Sequence, residues 1–167
     1  YSEHEAELAR IAGYMHDIGN VVNRIDHAQS GACMAFRLLD KMGMPAQDVA
    51  LVVTAIGNHD ESTAFPVNAI AAALILADKT DVRRSRVRNR DIATFDIHDR
   101  VNYAVEESHL ELDTQNKTLT SFLTINTEIC AIMDYFEIFM QRMLLCRKAA
   151  AFFGLTFKLN VNGQTVL

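Results

Sequence analysis

Residues 14 to 20 read Tyr14-Met15-His16-Asp17-Ile18-Gly19-Asn20, an imidazole and a carboxylate side by side where a helical pattern ends. Upstream, Leu8, Ile11, Ala12, Met15 and Ile18 recur at three- and four-residue steps. This spacing predicts a helix of about four turns over Glu3 to Ile18, with Ser2 as N-cap and Gly19 as its stop. Downstream, three more helices are predicted: about Ala28 to Lys41, ended by Gly43; about Ala46 to Ile56, opened by Pro45; and Val67 to about Val82, opened by Pro66. The last of these is apolar almost all the way round from Ala69 to Ala77, which marks a central helix surrounded by others.

Between and within these helices stand further groups that bind metals: His27 at a helix start, His59-Asp60 between two helices, and Asp78 inside the apolar helix. Imidazole with carboxylate suits Zn, Fe, Mn, Co or Ni. Asp78 is the strongest single residue, because a carboxylate flanked by Leu74, Ile75, Leu76 and Ala77 on a buried helix costs several kcal/mol unless a cation or donor compensates it. A partnership with Lys79 or an arginine would account for Asp78 alone. The joint order of all four features shifts the balance towards a metal site.

In that order the sequence resembles the HD-domain metal-dependent phosphohydrolases, a helical superfamily named for its adjacent His-Asp pair. His16-Asp17-Ile18-Gly19 is similar to its HDIG motif, His27-Ala28-Gln29-Ser30-Gly31-Ala32 to the helix that supplies a second-metal histidine, Asn58-His59-Asp60 to the next histidine position, and Leu76-Ala77-Asp78-Lys79 to the closing aspartate motif. The motif order is most similar to the two-metal members. The resemblance covers roughly residues 1 to 90 and implies that His16, Asp17 and Asp78 bind one metal, with Asp17 bridging to a second held by His27 and His59. It further implies a metal-bound hydroxide as nucleophile, since two cations lower a water's pKa and neutralise charge on a phosphoryl group. Asp17, Asp60 and Lys79 are the expected catalytic residues, Asp60 and Lys79 assisting as ligand, proton shuttle or phosphate contact. The expected cofactor is one or two divalent ions, with Fe, Mn, Zn, Co, Ni and Mg not distinguished.

Two positions depart from the family pattern. Members carry another metal-binding histidine on a preceding helix, and the only upstream histidine here is His4, twelve positions before His16. On one helix that separation is about 18 Å along the axis and about 120° around it, so the two cannot share a metal. The favoured expectation is a first ligand upstream of Tyr1, on an N-terminal helix of a longer natural chain; the alternative is a first metal site that is incomplete and weak. The second departure is Asn20, where the motif often continues with a lysine that touches substrate phosphate. Five arginines between Arg83 and Arg90 offer another source of anion contacts, since guanidinium forks match phosphate oxygens. Arg83 and Arg84, nearest Asp78, are the expected substrate-phosphate contacts together with Lys79; the alternative is a solvated loop paired with Asp81, Asp91 and Asp96.

After a short helix predicted over Asp99 to Glu107, the pattern changes. His109 to Asp113 alternates, Thr114 to Lys117 has turn chemistry, and Thr118 to Ile125 completes a predicted β-hairpin. A long helix over Glu128 to Phe153 follows, with Met133, Phe136, Phe139, Met140 and Met143 on one apolar stripe and Gly154 as C-cap; Leu155 to Val161 then alternates as a strand. The expected fold is mainly α: an HD-type helical bundle over 1–105 with an α+β appendage over 106–167 built on a small antiparallel sheet. The stripe is assigned to a core or a homodimer interface.

Composition narrows the function classes. The chain has 167 residues, 50% of them hydrophobic, enough for a substantial core. Its net charge of −5 argues against extended nucleic acid or an anionic membrane as partner. No apolar run reaches the ~20 residues of a spanning helix. Three widely spaced cysteines without a CxxC pair fit buried thiols in a reducing, cytoplasmic setting. The leading expectation is hydrolysis of a phosphoester or phosphoanhydride in a nucleotide or other small phosphorylated molecule. The alternative is a catalytically impaired HD-fold sensor or interaction module that binds metal or nucleotide and dimerises.

Overall fold

The computed structural model describes residues 1–167 throughout, and backbone packing divides it into two compact units, Tyr1–Asp78 and Lys79–Leu167. The architecture is mainly helical, with six α-helices and a small four-stranded sheet in the C-terminal part.

The first unit is built from four helices. Helix α1 (Glu3–Met15) starts at a capping box: the Ser2 side chain accepts from Glu5 N while the Glu5 carboxylate accepts from Ser2 N. Its last helical residue lies three positions short of Ile18, because after Asp17 the chain tightens into a 3₁₀ turn over Ile18–Val21. Helix α2 (His27–Lys41) follows Asp26, which sits in the left-handed region at φ 57°. Helix α3 (Ala46–Gly57) comes next, and α4 (Ala69–Thr80) is last. Asn68 rather than Pro66 opens α4, its side chain accepting from Ala71 N at 2.8 Å, so the helix starts two residues later than Pro66 suggests.

Leu8 and Ala12 of α1, Ala35 and Leu39 of α2, Val52, Ala55 and Ile56 of α3, and Ile70, Ala71 and Leu74 of α4 form one buried core. The predicted all-apolar character of α4 is realised: Ile70, Ala71, Ala72, Leu74, Ile75 and Leu76 are all buried. His4 is occupied at the opposite end of α1 from His16, its Nε2 lying 2.9 Å from Asp48 Oδ1 on α3.

In the second unit, α5 (Ile97–Ala104) is capped by the Asp96 side chain, which accepts from Asp99 N. It ends earlier than predicted because Glu106 and Glu107 already belong to strand β1 (Val105–Asp113), which pairs antiparallel with β2 (Thr118–Ile125). Helix α6 (Ile132–Phe152) then carries the chain back, and β3 (Thr156–Val161) pairs with β2 in parallel, Leu119 opposite Phe157 and Leu123 opposite Val161. The sheet is therefore mixed rather than antiparallel, because a helical crossover returns the next strand in the same direction. A two-residue strand β4 (Gln164–Thr165) closes the order β1-β2-β3-β4.

Helix α6 buries Tyr135, Phe139, Met143, Cys146, Ala149 and Ala150. The apolar stripe of the sequence reading is thus rotated: Met133 and Met140 face solvent, while Tyr135 and Cys146 take core positions. Of the three free cysteines, Cys130 and Cys146 are buried as predicted and Cys33 is exposed. No helix is long and apolar enough to cross a membrane.

Candidate metal centre

Every histidine and carboxylate at this centre sits where a helix begins or ends. His16 is the C-cap of α1, Asp17 follows it, His27 is the first residue of α2, His59 lies two positions beyond α3, and Asp78 is in the last turn of α4. Helix ends place these side chains on short, stiff backbone with the bundle holding each end in register.

The approach of α2 to the turn after Asp17 is set by two glycines. A Cβ on Gly19 would stand 2.0 Å from His27 O and 2.6 Å from Gly31 N, and a Cβ on Gly31 would stand 3.2 Å from Gly19 N. Only glycine at position 19 lets the two backbones touch, and that contact brings His27 up to Asp17.

The three imidazoles share one hydrogen-bonding pattern. Nδ1 of His16 lies 2.7 Å from Gly13 O, Nδ1 of His27 lies 3.0 Å from Arg24 O, and Nδ1 of His59 lies 2.6 Å from Ile56 O. A carbonyl oxygen only accepts, so each Nδ1 carries a proton and donates it, which makes Nε2 the ring atom that can offer a lone pair to a metal. Ring orientation fixed by Nδ1–H to a backbone carbonyl is the usual support of a metal-ligating histidine. His59 stands between the other two rings, nearly perpendicular to both, with centroids 5.0 Å from His16 and 5.1 Å from His27.

The lone pairs converge on the carboxylates. His16 Nε2 is 3.6 Å from Asp17 Oδ2 and 3.7 Å from Asp78 Oδ1. On the other side, Asp17 Oδ1 is 3.3 Å from His27 Nε2 and 3.9 Å from His59 Nε2. The two oxygens of Asp17 therefore face two different sets of partners. His27 and His59 are almost wholly buried, and their Nε2 atoms are 3.2 Å apart. That separation is a hydrogen-bonding distance, with either ring able to donate.

Two groups of ligand atoms result, His16–His59–Asp78 and Asp17–His27–His59, each with its atoms within 4.8 Å of one another and with His59 common to both. Neighbouring ligands about 2.1 Å from a single ion lie about 3.0–3.4 Å from each other, which the separations around Asp17 and His27 approach. Three imidazoles with carboxylates, buried on one side and open at half-exposed Asp17, fit a divalent ion with positions left for another ligand.

Asp60 stands at the edge of this centre. Its Oδ1 is 4.0 Å from His27 Nε2, and its Oδ2 accepts from Ser62 Oγ at 2.6 Å. Of the other residues singled out in the sequence, Lys79 is buried in the last turn of α4, at the start of the second unit. Arg83 pairs with Asp81 at 2.8 Å. Arg84 donates from Nε to Tyr103 O at 2.7 Å and lies over the Tyr103 ring. Arg86 joins Asp81 at 2.7 Å.

The sequence reading missed Arg24. Its Nη1 is 3.4 Å from His27 Nε2, 3.4 Å from Asn20 Oδ1 and 3.6 Å from Asp17 Oδ1. The departure of Asn20 from the motif's lysine was the available signal, since it left the site without a cation close to the His-Asp pair.

In comparison with known proteins, the model of one family, the HD domain, matches residues 1–138. No curated protein and no solved structure matches the chain.

Proposed function

Because the chain belongs to the HD domain family, we propose that it is a metal-dependent phosphohydrolase. Its substrate in this reading is a small phosphorylated molecule, a nucleotide foremost, cleaved at a phosphoester or phosphoanhydride bond. The observation that carries the reading is the convergence of three Nδ1-anchored imidazoles on the two oxygens of Asp17. His16 and Asp78 would hold one divalent ion with Asp17, and His27 and His59 a second, Asp17 serving both. Divalent ions bound there supply Lewis acidity, lowering the pKa of water and neutralising phosphoryl charge.

The chain's own residues contribute orientation and proton handling. The carbonyls of Gly13, Arg24 and Ile56 orient the imidazoles through Nδ1, so the rings themselves need not turn when a cation or substrate arrives. Asp60, oriented by Ser62 at Oδ2, presents Oδ1 beside His27 as the acceptor for a proton released from water. Lys79 remains the cation next to Asp78 in the chain, while Arg83 and Arg84, engaged elsewhere in the second unit, are not needed for the reading. In this assignment residues 1–105 form the HD-type domain, 106–167 an α+β subdomain, and the protein acts in the cytoplasm, with a homodimer as its candidate assembly.

Asp17→Ala tests the assignment. It is expected to lose bound metal, measured by elemental analysis, and hydrolysis of a phosphodiester such as bis(p-nitrophenyl) phosphate. Full metal and full turnover in D17A would refute it.

A further inference from the structure

Arg24 places a guanidinium against the very lone pairs that a cation would use. Its Nη1 reaches His27 Nε2 at 3.4 Å and Asp17 Oδ1 at 3.6 Å, while its third neighbour is Asn20 Oδ1 at 3.4 Å. All three contacts are long for charged hydrogen bonds, in contrast to the 2.8 Å and 2.7 Å pairs that hold Arg83 and Arg86 to Asp81. The side chain is also 69% exposed. Arg24 is thus a weakly held positive charge at the open side of the buried His27–His59 pair.

Two positive charges cannot share those ligands. A divalent ion bound to Asp17, His27 and His59 would repel a guanidinium about 4 Å away by an amount equivalent to a several-fold change in affinity even with strong solvent screening. The exposed side chain can turn outward, whereas its backbone carbonyl stays in place, because it accepts from His27 Nδ1 at 3.0 Å. Its reach is limited by that anchored backbone, which lies four residues from Asn20 and directly against His27.

Resting on the proposed metal-dependent reading, we infer that Arg24 is an exchangeable counter-ion: it neutralises the Asp17–His27 ligands when no metal is bound and becomes the phosphate contact of the metal-loaded site. It supplies the cation that position 20 lacks. The inference makes the metal and the anion respond to Arg24 in opposite directions, which a merely structural arginine cannot do.

The test is a pair of calorimetric titrations on R24Q, R24K and R10Q beside the wild type. Arg10 is bound to Glu3 and Glu7 on α1, so R10Q removes the same charge at a position separate from the centre. Mn²⁺ is titrated into metal-free protein, then inorganic phosphate into Mn²⁺-loaded protein. R24Q is expected to bind Mn²⁺ about threefold or more tightly and phosphate about tenfold more weakly. R24K should lie between R24Q and the wild type for phosphate, and R10Q should match the wild type in both titrations. Unchanged Mn²⁺ or unchanged phosphate affinity in R24Q overturns the exchange while leaving the metal reading intact. Weakening of both in R24Q marks a structural role and overturns it as well. A wild type that takes up Mn²⁺ but no phosphate overturns the inference alone, and one that takes up no Mn²⁺ overturns the proposed function with it.

Discussion

At Gly19 the absence of one methyl group decides whether His27 can reach Asp17. The carbonyl of His27 and the amide of Gly31 occupy the space a Cβ would need, and both are backbone atoms that cannot turn aside. Gly19→Ala is expected to cost about 2–4 kcal/mol in urea unfolding and to lower metal uptake together with stability. An unchanged midpoint would show that the α2 start yields freely. Tyr135 makes a separate prediction about pH. Burial pushes its phenol well above the ordinary value, and its hydroxyl points at Met143 Sδ at 3.4 Å. A raised pKa means that the folded state holds the proton more tightly than the unfolded chain. The stabilisation is full below about pH 10, the ordinary tyrosine value, and falls as pH rises above it. Tyr135→Phe should flatten that alkaline loss, measured as the difference in unfolding free energy between pH 8 and pH 11. An equal loss in both proteins would assign the effect elsewhere. The clustering of His16, Asp17, His27, His59 and Asp78 was legible in the sequence through the order of their motifs, which resembles the HD pattern. For Arg24 the sequence carried only the indirect signal of Asn20, a missing cation, because it is the 3₁₀ turn after Asp17 that brings position 24 back over the site.

Among the elements, the helices of the first unit were legible to within a few residues because capping and periodicity are local: Ser2 with Glu5 starts α1, and Gly43, with φ 80°, follows α2. The second unit was less so. The parallel pairing of β2 with β3 depends on where α6 returns the chain, a long-range outcome that alternation in Leu155 to Val161 does not encode. Strand β4 did carry a signal that went unread, the dipeptide Asn162-Gly163, whose φ values of 51° and 83° suit a tight hairpin. Asn162 also exchanges two hydrogen bonds with the backbone of Ile125 through its side chain, tying that turn to β2. On α6 the true buried face follows Tyr135, Phe139, Met143 and Cys146, and the bulk of Met133 and Met140 concealed it, since hydrophobic residues occupy both faces. Met143→Ala is therefore expected to destabilise by about 2–5 kcal/mol. Met133→Ala should stay within about 0.5 kcal/mol. Equal costs in thermal or urea unfolding would contradict the assigned face.

For the molecule as a whole, the family match over residues 1–138 runs through both compact units, whose division falls inside α4 at Asp78–Lys79. All six ionisable residues that converge at the centre together with Arg24, including Asp60, lie in the first unit. The net charge of −5 makes the local supply of cations at the site a matter for individual residues rather than for the field of the protein. The most direct measurement is divalent metal per chain by elemental analysis, on the wild type, D17A and H4A purified in parallel. The account predicts at least one tightly held ion in the wild type, its loss in D17A, and full retention in H4A, whose histidine is engaged with Asp48 instead. Metal bound equally by D17A and the wild type, or by neither, would contradict it.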